Sequence, residues 1–139
     1  MLASFVGTWL LLSQHTIYPD GRVEMTRGES PRGVLMYDAL GNMSVHLMRT
    51  DADARQYTDL ASFETAMEGY HAYFGTYEVS EAEGVVRHTV LGAAYPPYRG
   101  SVQVRHYAFD GDHLTLTVHA SDGTRRVIAW VRAHGKMPS

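Results

Sequence analysis

Residues 106–117 read HYAFDGDHLTLT, and this stretch decides the fold class because it has the pattern of a complete β-hairpin. Asp110-Gly111 stands between two segments of alternating side chains, and Asp-Gly favours a two-residue type I′ turn. Such a turn pairs Phe109 with Asp112. Counted along both strands, it then sets residues 107, 105 and 103 opposite residues 114, 116 and 118.

The second strand of this hairpin shows which face is buried. Leu114, Leu116 and Val118 alternate with two threonines and a histidine, so the leucine face is predicted to be inside. Their partners are then predicted to point inside as well, and these are Gln103, Arg105 and Tyr107, with His106 pointing outside. A hydrophobic core accepts a glutamine and an arginine only when they have partners.

Six more segments have the same short, β-branched and aromatic character. They are the opening stretch from Phe5 to about Tyr18, GVLMYD, GNMSVHLMR, GTYEVS, GVVRHTVLG and RRVIAWVRA. Turn signals separate them, such as Pro19-Asp20-Gly21, Asp38 to Gly41, and Asp122-Gly123. About eight strands at meander spacing are typical of an all-β barrel or sandwich.

One segment departs from this pattern. DLASFETAMEGYHAYF places Leu60, Phe63, Met67, Tyr70 and Phe74 at helical intervals. We expect a helix from Leu60 to about Tyr70, capped by Asp59 or Ser62, between the third and fourth strands. The residues before it, Thr50 to Tyr57, are predicted to form a polar loop.

Bulk composition excludes several classes of protein. The 139 residues fit one domain, expected to span 1–139, and they contain no cysteine, so disulfides and thiolate sites are excluded. A net charge of −3 lacks the basic face of a nucleic-acid-binding protein. The first apolar run is too short to span a bilayer and no basic residue precedes it, so we expect a cytoplasmic protein with no membrane partner.

Alternation along the other strands extends the set of inward side chains. Tyr37 shares a face with Leu35, Tyr77 shares one with Tyr73, and charge placement favours His88 inside. In the first strand, Trp9, Leu11, Ser13 and His15 share a face. Two registers remain open for the last strand: a two-residue turn at Asp122-Gly123 puts Val127, Ala129 and Val131 inside, and a three-residue loop puts Ile128, Trp130 and Arg132 there.

At this point the chain resembles the lipocalin-like single-domain proteins of bacteria and fungi, within the calycin-type barrels. The resemblance rests on the order and spacing of GTW (7–9), GVLMYDALGNMSVHLMR (33–49), GYHAYFGTYEV (69–79), RHTVLGAAYPPYRGSVQVR (87–105), DGDHLTL (110–116) and WVR (130–132). It implies an eight-stranded antiparallel up-and-down barrel with a helix inserted after the third strand. It also implies that Trp9 stacks on Arg132 at the closed end, which favours the register with Arg132 inside.

Polar-tipped side chains converge on the predicted interior, which either holds a satisfied buried network or binds one small molecule. Arg105 either binds a carboxylate or enolate oxygen or pairs internally, and His88 either moves a proton or is a hydrogen-bonded core residue. Tyr95 and Tyr98 flank two prolines in a loop that either lines the mouth or is a plain turn. The candidate site residues are therefore Tyr37, Tyr77, His88, Gln103, Arg105, Tyr107, Tyr95 and Tyr98, with His88 and Arg105 as the catalytic candidates.

Two functions follow from this reading. The first is binding of a small, largely apolar or aromatic molecule that carries oxygen. The second is a cofactor-free cyclase or isomerase acting on a polyketide- or terpenoid-like intermediate in the same pocket. We expect no cofactor and no metal, because no HxH or HExxH pair occurs. Leu10 and Leu12 face outward, which suggests a homo-oligomer contact or cover from the helix.

Overall fold

Nine β-strands form a single antiparallel sheet in the computed structural model, which describes residues 2–51 and 69–139. Short regular segments at Leu2–Phe5 (helix α1) and Pro96–Tyr98 (a 3-10 turn) accompany the strands. The strands are β1 (Gly7–Ile17), β2 (Val23–Glu24), β3 (Arg32–Tyr37), β4 (Asn42–Met48), β5 (Tyr70–Ser80), β6 (Val85–Ala93), β7 (Val102–Asp110), β8 (His113–His119) and β9 (Arg125–Arg132).

Eight of these strands close into a barrel. β3 to β9 follow one another in chain order, and β1 pairs with both β3 and β9, which leaves β2 as a two-residue addition beside β1. Closure removes the free sheet edges. The predicted eight-stranded antiparallel up-and-down barrel is therefore confirmed.

Most of the predicted helix and of the polar loop before it lies outside the described residues. Where the structure resumes, Gly69 is helical and Tyr70 already begins β5, so the fourth barrel strand starts five residues earlier than the predicted GTYEVS segment. Tyr70 and Phe74 are both exposed on the outer face of β5. A spacing of four residues fits one face of a strand as well as one face of a helix, which is why the sequence pattern was ambiguous here.

A β-bulge in β1 corrects the prediction for the first strand. Leu11 pairs with Trp130 and Ser13 with Ala129, so Leu12 is an extra residue and the alternation shifts by one. Gln14 and Thr16 are consequently buried, while Ser13 and His15, which were expected inside, are only half-buried. The strand also begins at Gly7, because Phe5 belongs to α1.

The turn between β7 and β8 lies one residue further along the chain than predicted, which shifts the strand pairing by two residues. Asp110 pairs with His113, Phe109 with Leu114 and Tyr107 with Leu116, so the turn residues are Gly111 and Asp112. Only Gly111 has a positive φ, 58°, which suits a II′ turn rather than the expected I′ turn. The shift is even, so the inward face is unchanged: Arg105 is buried and His106 is exposed, as predicted.

The last strand adopts the register that places Ile128 and Trp130 inside. Ala120 donates its N–H to the carbonyl of Thr124, which leaves the three-residue loop Ser121–Gly123 with Gly123 at a φ of 91°. Ile128 and Trp130 are buried on the barrel interior. The preference for the three-residue loop is confirmed.

The closed end is built around Trp9 and Arg132. The Arg132 guanidinium lies 4.2 Å from the centre of the Trp9 ring and donates to the carbonyls of Val6 (2.8 Å) and Ser4 (2.6 Å). Gly7, at a φ of 142°, lets the chain turn beneath that guanidinium, since a Cβ there would lie 2.7 Å from an Arg132 nitrogen. The expected Trp9–Arg132 stack is confirmed.

No helix in the described part of the chain is both long and apolar enough to cross a membrane.

Candidate functional site

An internal cavity lies toward the end of the barrel opposite the Trp9–Arg132 stack. Its wall combines apolar side chains with tyrosines, histidines and arginines. Its volume is about 30 Å³. The lining residues are Gln14, Arg27, Leu35, Val45, Leu47, His71, Tyr73, His88, Tyr98, Arg105, Leu116, Arg126, Ile128 and Trp130.

A larger concavity, about 540 Å³, lies on the outer face of β4, β5 and β6. Its wall includes Phe74 and Leu91, which are exposed, and its arginine, Arg99, donates to the carbonyl of Ala93. It is a shallow groove open to solvent. The internal cavity is the better candidate because buried ionisable groups converge there.

His88 is held between two tyrosines at the floor of this cavity. Its Nε2 lies 2.6 Å from the Tyr37 hydroxyl and its Nδ1 lies 2.6 Å from the Tyr73 hydroxyl. A neutral imidazole has one N–H donor and one acceptor nitrogen, so one tyrosine donates to His88 and the other accepts from it. The ring is completely satisfied without a charge.

Burial keeps this chain of three groups neutral. It lowers the pKa of His88 to about 3, and the nearby Arg105 charge adds to the effect. Burial also raises the pKa of Tyr73 to about 12 against the lowering effect of Arg105, and raises that of Tyr37 well above its usual range. At neutral pH all three side chains are therefore uncharged, and hydrogen bonds alone link them.

Arg105 is the buried cation of the site. Its residue is only 7% exposed, its Nη1 donates to the carbonyl of Val104 at 3.2 Å, and its guanidinium interacts with the Tyr73 hydroxyl. A guanidinium has five N–H donors, so these contacts leave donors available toward the cavity. β7 positions this side chain opposite Val86 of β6.

Two buried polar atoms of the cavity wall have no hydrogen-bond partner in the described part of the chain. They are Nδ1 of His71 and Nε1 of Trp130, both on residues at most 6% exposed. Burial, followed by the charges of Arg27, Arg105 and Arg126, lowers the pKa of His71 to about 4. His71 is thus neutral at pH 7, and buried polar atoms without partners are uncommon in folded proteins.

The mouth of the cavity carries further polar contacts. Arg27 is buried and its Nε donates to the Gln14 side-chain oxygen at 3.0 Å, while Gln14 donates to the Thr26 hydroxyl at 3.2 Å. Arg126 is exposed, and the half-exposed Tyr98 packs its ring edge to face against His71 at 5.0 Å. No carboxylate is among the described residues that line the cavity.

The structure brings three of the sequence-predicted site residues to this cavity, namely His88, Arg105 and Tyr98. Tyr37 lies behind His88, and the Tyr77 hydroxyl donates to the carbonyl of Asp38 at 2.7 Å near the closed end. Tyr107 packs on Phe5 at 5.0 Å. The remaining two lie elsewhere: Gln103 donates to the Ser101 hydroxyl, and Tyr95 packs on Tyr98 outside the lining.

Sequence reasoning missed other members of the lining. His71 and Tyr73 share the inward face of β5 with Tyr77, so alternation could have found His71 if the strand had been extended to its true start. Gln14 faces inward only because of the β1 bulge, for which the sequence carried no signal. Arg27 follows β2 in a turn, outside any alternating pattern.

The closed antiparallel barrel and its internal cavity of mixed polarity place this protein in the class of β-barrels that enclose a small volume. The chain belongs to the lipocalin-like domain family, whose sequence model matches residues 6–133. The expected family membership is therefore confirmed.

Solved structures that resemble the chain are also barrels. A redesigned beta barrel aligns with a TM-score of 0.49 at 12% identity, covering 96% of this chain and 95% of its own. A fluorescence-activating beta barrel designed de novo aligns at 0.45 and 15%, covering 95% and 96%. A mutant of the fluorescent protein UnaG aligns at 0.43 and 16%, covering 97% and 100%. No curated protein sequence matches the chain.

Proposed function

We propose that this barrel binds a small, largely apolar or aromatic molecule that carries an oxygen function, inside the cavity between Tyr73, Arg105 and Trp130. The observation that carries the proposal is the convergence on one cavity of a buried guanidinium and two buried polar atoms that have no partner among residues 2–51 and 69–139. A packed core rarely leaves such groups together, whereas a ligand pocket combines an apolar wall with a few polar anchors.

The rest of the wall supports an apolar or aromatic ligand body. Leu35, Val45, Leu47, Leu116 and Ile128 are all buried and face the same cavity. Because the open volume of about 30 Å³ is smaller than an aromatic ring, binding requires side chains at the mouth to move aside and enlarge the cavity. Tyr98 and Arg126 are the least buried of the lining residues there, so their displacement costs little packing.

The first experiment locates binding in the barrel interior. Thermal unfolding is followed with a panel of neutral and ionised aromatic oxygen compounds, together with native mass spectrometry of the purified protein. A compound that binds the folded state raises Tm and adds its mass. Leu47→Phe fills the cavity and should remove both effects, whereas Leu91→Phe, on the exposed outer face, should leave them intact.

Two results would overturn the proposal. One is the absence of any bound mass and of any Tm increase across the panel. The other is equal binding by Leu47→Phe and the parent protein, because a ligand unaffected by filling the cavity does not lie inside it. A folded Leu47→Phe protein is verified by its cooperative unfolding transition.

The second candidate is a cofactor-free cyclase or isomerase, and the Tyr37–His88–Tyr73 chain favours it. Tyr73 lines the cavity, and His88 can take up or return a proton as Tyr73 exchanges one with a substrate. His88 then acts as a positioning residue and Tyr73 contacts the substrate. For any compound that the protein converts, Tyr73→Phe should lower kcat far more than it lowers affinity. If kcat and affinity fall by the same factor, Tyr73 contributes to binding and not to the chemical step.

A further inference from the structure

We propose that the ligand's oxygen function is an anion of the carboxylate class, held against Arg105 with the Trp130 indole N–H as a second donor. This inference rests on the proposed function and deepens it, since it specifies the charge of the ligand. The site should therefore bind acidic molecules more tightly than neutral or basic molecules of the same shape.

The charge of the lining carries the first step. Arg27, Arg105 and Arg126 contribute guanidinium groups to the cavity, and its described lining contains no carboxylate. Both lining histidines are neutral at pH 7, because burial lowers their pKa values; the three arginines add to this effect at His71, and Arg105 alone adds to it at His88. The described groups therefore produce a positive potential inside a poorly hydrated space, which favours an anion and disfavours a cation.

The second step concerns donors and acceptors. Arg105 has donors directed to no described partner beyond Val104 and Tyr73, and the Trp130 Nε1–H has no described partner at all. Both groups are donors only, so the complementary ligand atom is an acceptor. Guanidinium groups bind carboxylates in charge-assisted pairs that are stronger than bonds to neutral carbonyls.

The neighbouring wall determines what is attached to the anion. Leu35, Leu116 and Ile128 are buried beside Trp130 in the same cavity. An aromatic or short aliphatic carboxylate suits a wall that combines guanidinium groups with apolar side chains. A phosphate ester is less suitable, because its additional oxygens would have to be buried against the leucines.

The two tryptophans provide a direct assay with an internal control. Trp9 and Trp130 are the only tryptophans in the sequence. The Trp9 indole N–H donates to the carbonyl of Phe5 at 2.9 Å in the closed end, whereas the Trp130 indole N–H lies in the cavity wall. Their ¹H–¹⁵N NMR signals, assigned with Trp130→Phe, should respond to a cavity ligand at Trp130 and remain unchanged at Trp9.

The experiment titrates ¹⁵N-labelled protein with benzoate, benzamide and benzylamine, which share a ring and differ in charge. We expect benzoate to shift the Trp130 signal at concentrations up to about 10 mM, within reach of the millimolar affinities available to a ligand of this size. Benzamide should bind at least about tenfold more weakly, and benzylamine should produce no shift.

Arg105→Met removes the guanidinium charge and keeps a side chain of similar length. Arg125→Met is the matched control, because Arg125 is exposed at the start of β9. Benzoate affinity should fall at least about tenfold in Arg105→Met and stay unchanged in Arg125→Met. Benzamide affinity should change little in either variant.

The outcomes separate this inference from the proposed function. If benzamide shifts Trp130 with the affinity of benzoate, the barrel binds small molecules but the anion inference is overturned. If benzoate binding survives Arg105→Met unchanged, or if no benzoate response occurs at Trp130, the inference is likewise overturned. The cavity-filling experiment with Leu47→Phe then decides the proposed function by itself.

Discussion

His88 illustrates how a buried histidine can have both of its ring nitrogens hydrogen-bonded without carrying a charge. Two tyrosine hydroxyls occupy its ring nitrogens, so a ligand in the cavity meets Tyr73 and Arg105 before it meets the imidazole. Direct proton exchange between His88 and a substrate would require one of these bonds to break. Any catalytic role therefore passes through Tyr73.

The buried histidines predict how stability depends on pH. In the unfolded chain, His71 and His88 take up protons near the ordinary pKa of 6.5, whereas in the folded protein their pKa values are about 4 and about 3. At pH values between the folded and the unfolded pKa values, the unfolded state binds more protons than the folded state. The contribution of the two histidines to stability is therefore fully present above about pH 7 and decreases as the pH is lowered. The full loss is on the order of a few kcal/mol per histidine.

Urea unfolding between about pH 7.5 and 5 measures this dependence, because the carboxylates stay ionised in that range. We expect a decreasing free energy of unfolding in the parent protein and a shallower decrease in His88→Gln. His106→Gln, an exposed control, should keep the parent slope. If the free energy of unfolding of the parent protein does not change with pH, or if the His88 ring signals titrate near pH 6.5 in NMR, His71 and His88 are not both buried and neutral.

Arg132 stabilises the closed end through a different set of contacts. Its guanidinium lies over the Trp9 ring and donates to two carbonyls that precede β1. Arg132→Ala should therefore lower the free energy of unfolding by roughly 2 kcal/mol or more. Arg125→Ala, on the same strand but exposed, should change it by less than about 0.5 kcal/mol. Similar losses in the two variants would disprove the stabilising role of the stack.

At the level of strands, two bulges shape the barrel wall. One is Leu12 of β1, and the other is Leu91 of β6, which has no partner between Phe74 and Gly75 of β5. A bulge bends its strand and increases the local twist. The first one turns Gln14 into the cavity, so a local irregularity decides part of the lining.

Gly75 is the residue that permits the second bulge. A Cβ at this position would collide with the backbone carbonyl of Thr89 on β6, and backbone cannot move aside as a side chain can. Gly75→Ala should therefore destabilise the protein by about 1–3 kcal/mol or more in denaturant unfolding.

Gly135→Ala is the control for that variant, because a Cβ there meets nothing within 4 Å. It should leave the denaturation midpoint nearly unchanged. A Gly75→Ala protein as stable as this control would show that the β5–β6 contact is looser than the structure indicates.

At the scale of the whole molecule, α1 works as a plug for one end of the barrel. Phe5 is completely buried and packs edge to face against Tyr37 (5.4 Å), Tyr107 (5.0 Å) and Phe109 (4.9 Å). These aromatic rings come from two separate strands, β3 and β7. The N-terminal segment thus completes a core that the strands alone leave open.

Phe5→Ala should cost about 3–5 kcal/mol of stability, as large aromatic deletions in cores do. Leu2→Ala, in the same short helix but 46% exposed, should cost less than about 0.5 kcal/mol. Chemical denaturation of both variants measures the difference. Equal effects would mean that α1 does not seal the barrel.

The inward or outward orientation of most side chains was determined by the sequence itself. Leu35, Val86 and Leu114 are buried as alternation predicts, because side chains alternate along a strand with a period of two. The barrel class followed from the number of such strands and the turn residues between them. These are local properties, and they remain valid whatever the neighbouring strand does.

Only the tertiary structure decided the height of each inward residue along the barrel axis. The β7–β8 hairpin shows why: a two-residue shift kept Arg105 and Tyr107 inside but changed their partners, and two residues span about 7 Å along a strand. Arg105 therefore reached the cavity while Tyr107 joined the aromatic plug around Phe5. Alternation specifies a face and not a register, so the sequence determined which residues point inward, whereas barrel closure, the bulges and the N-terminal plug determined which of them meet.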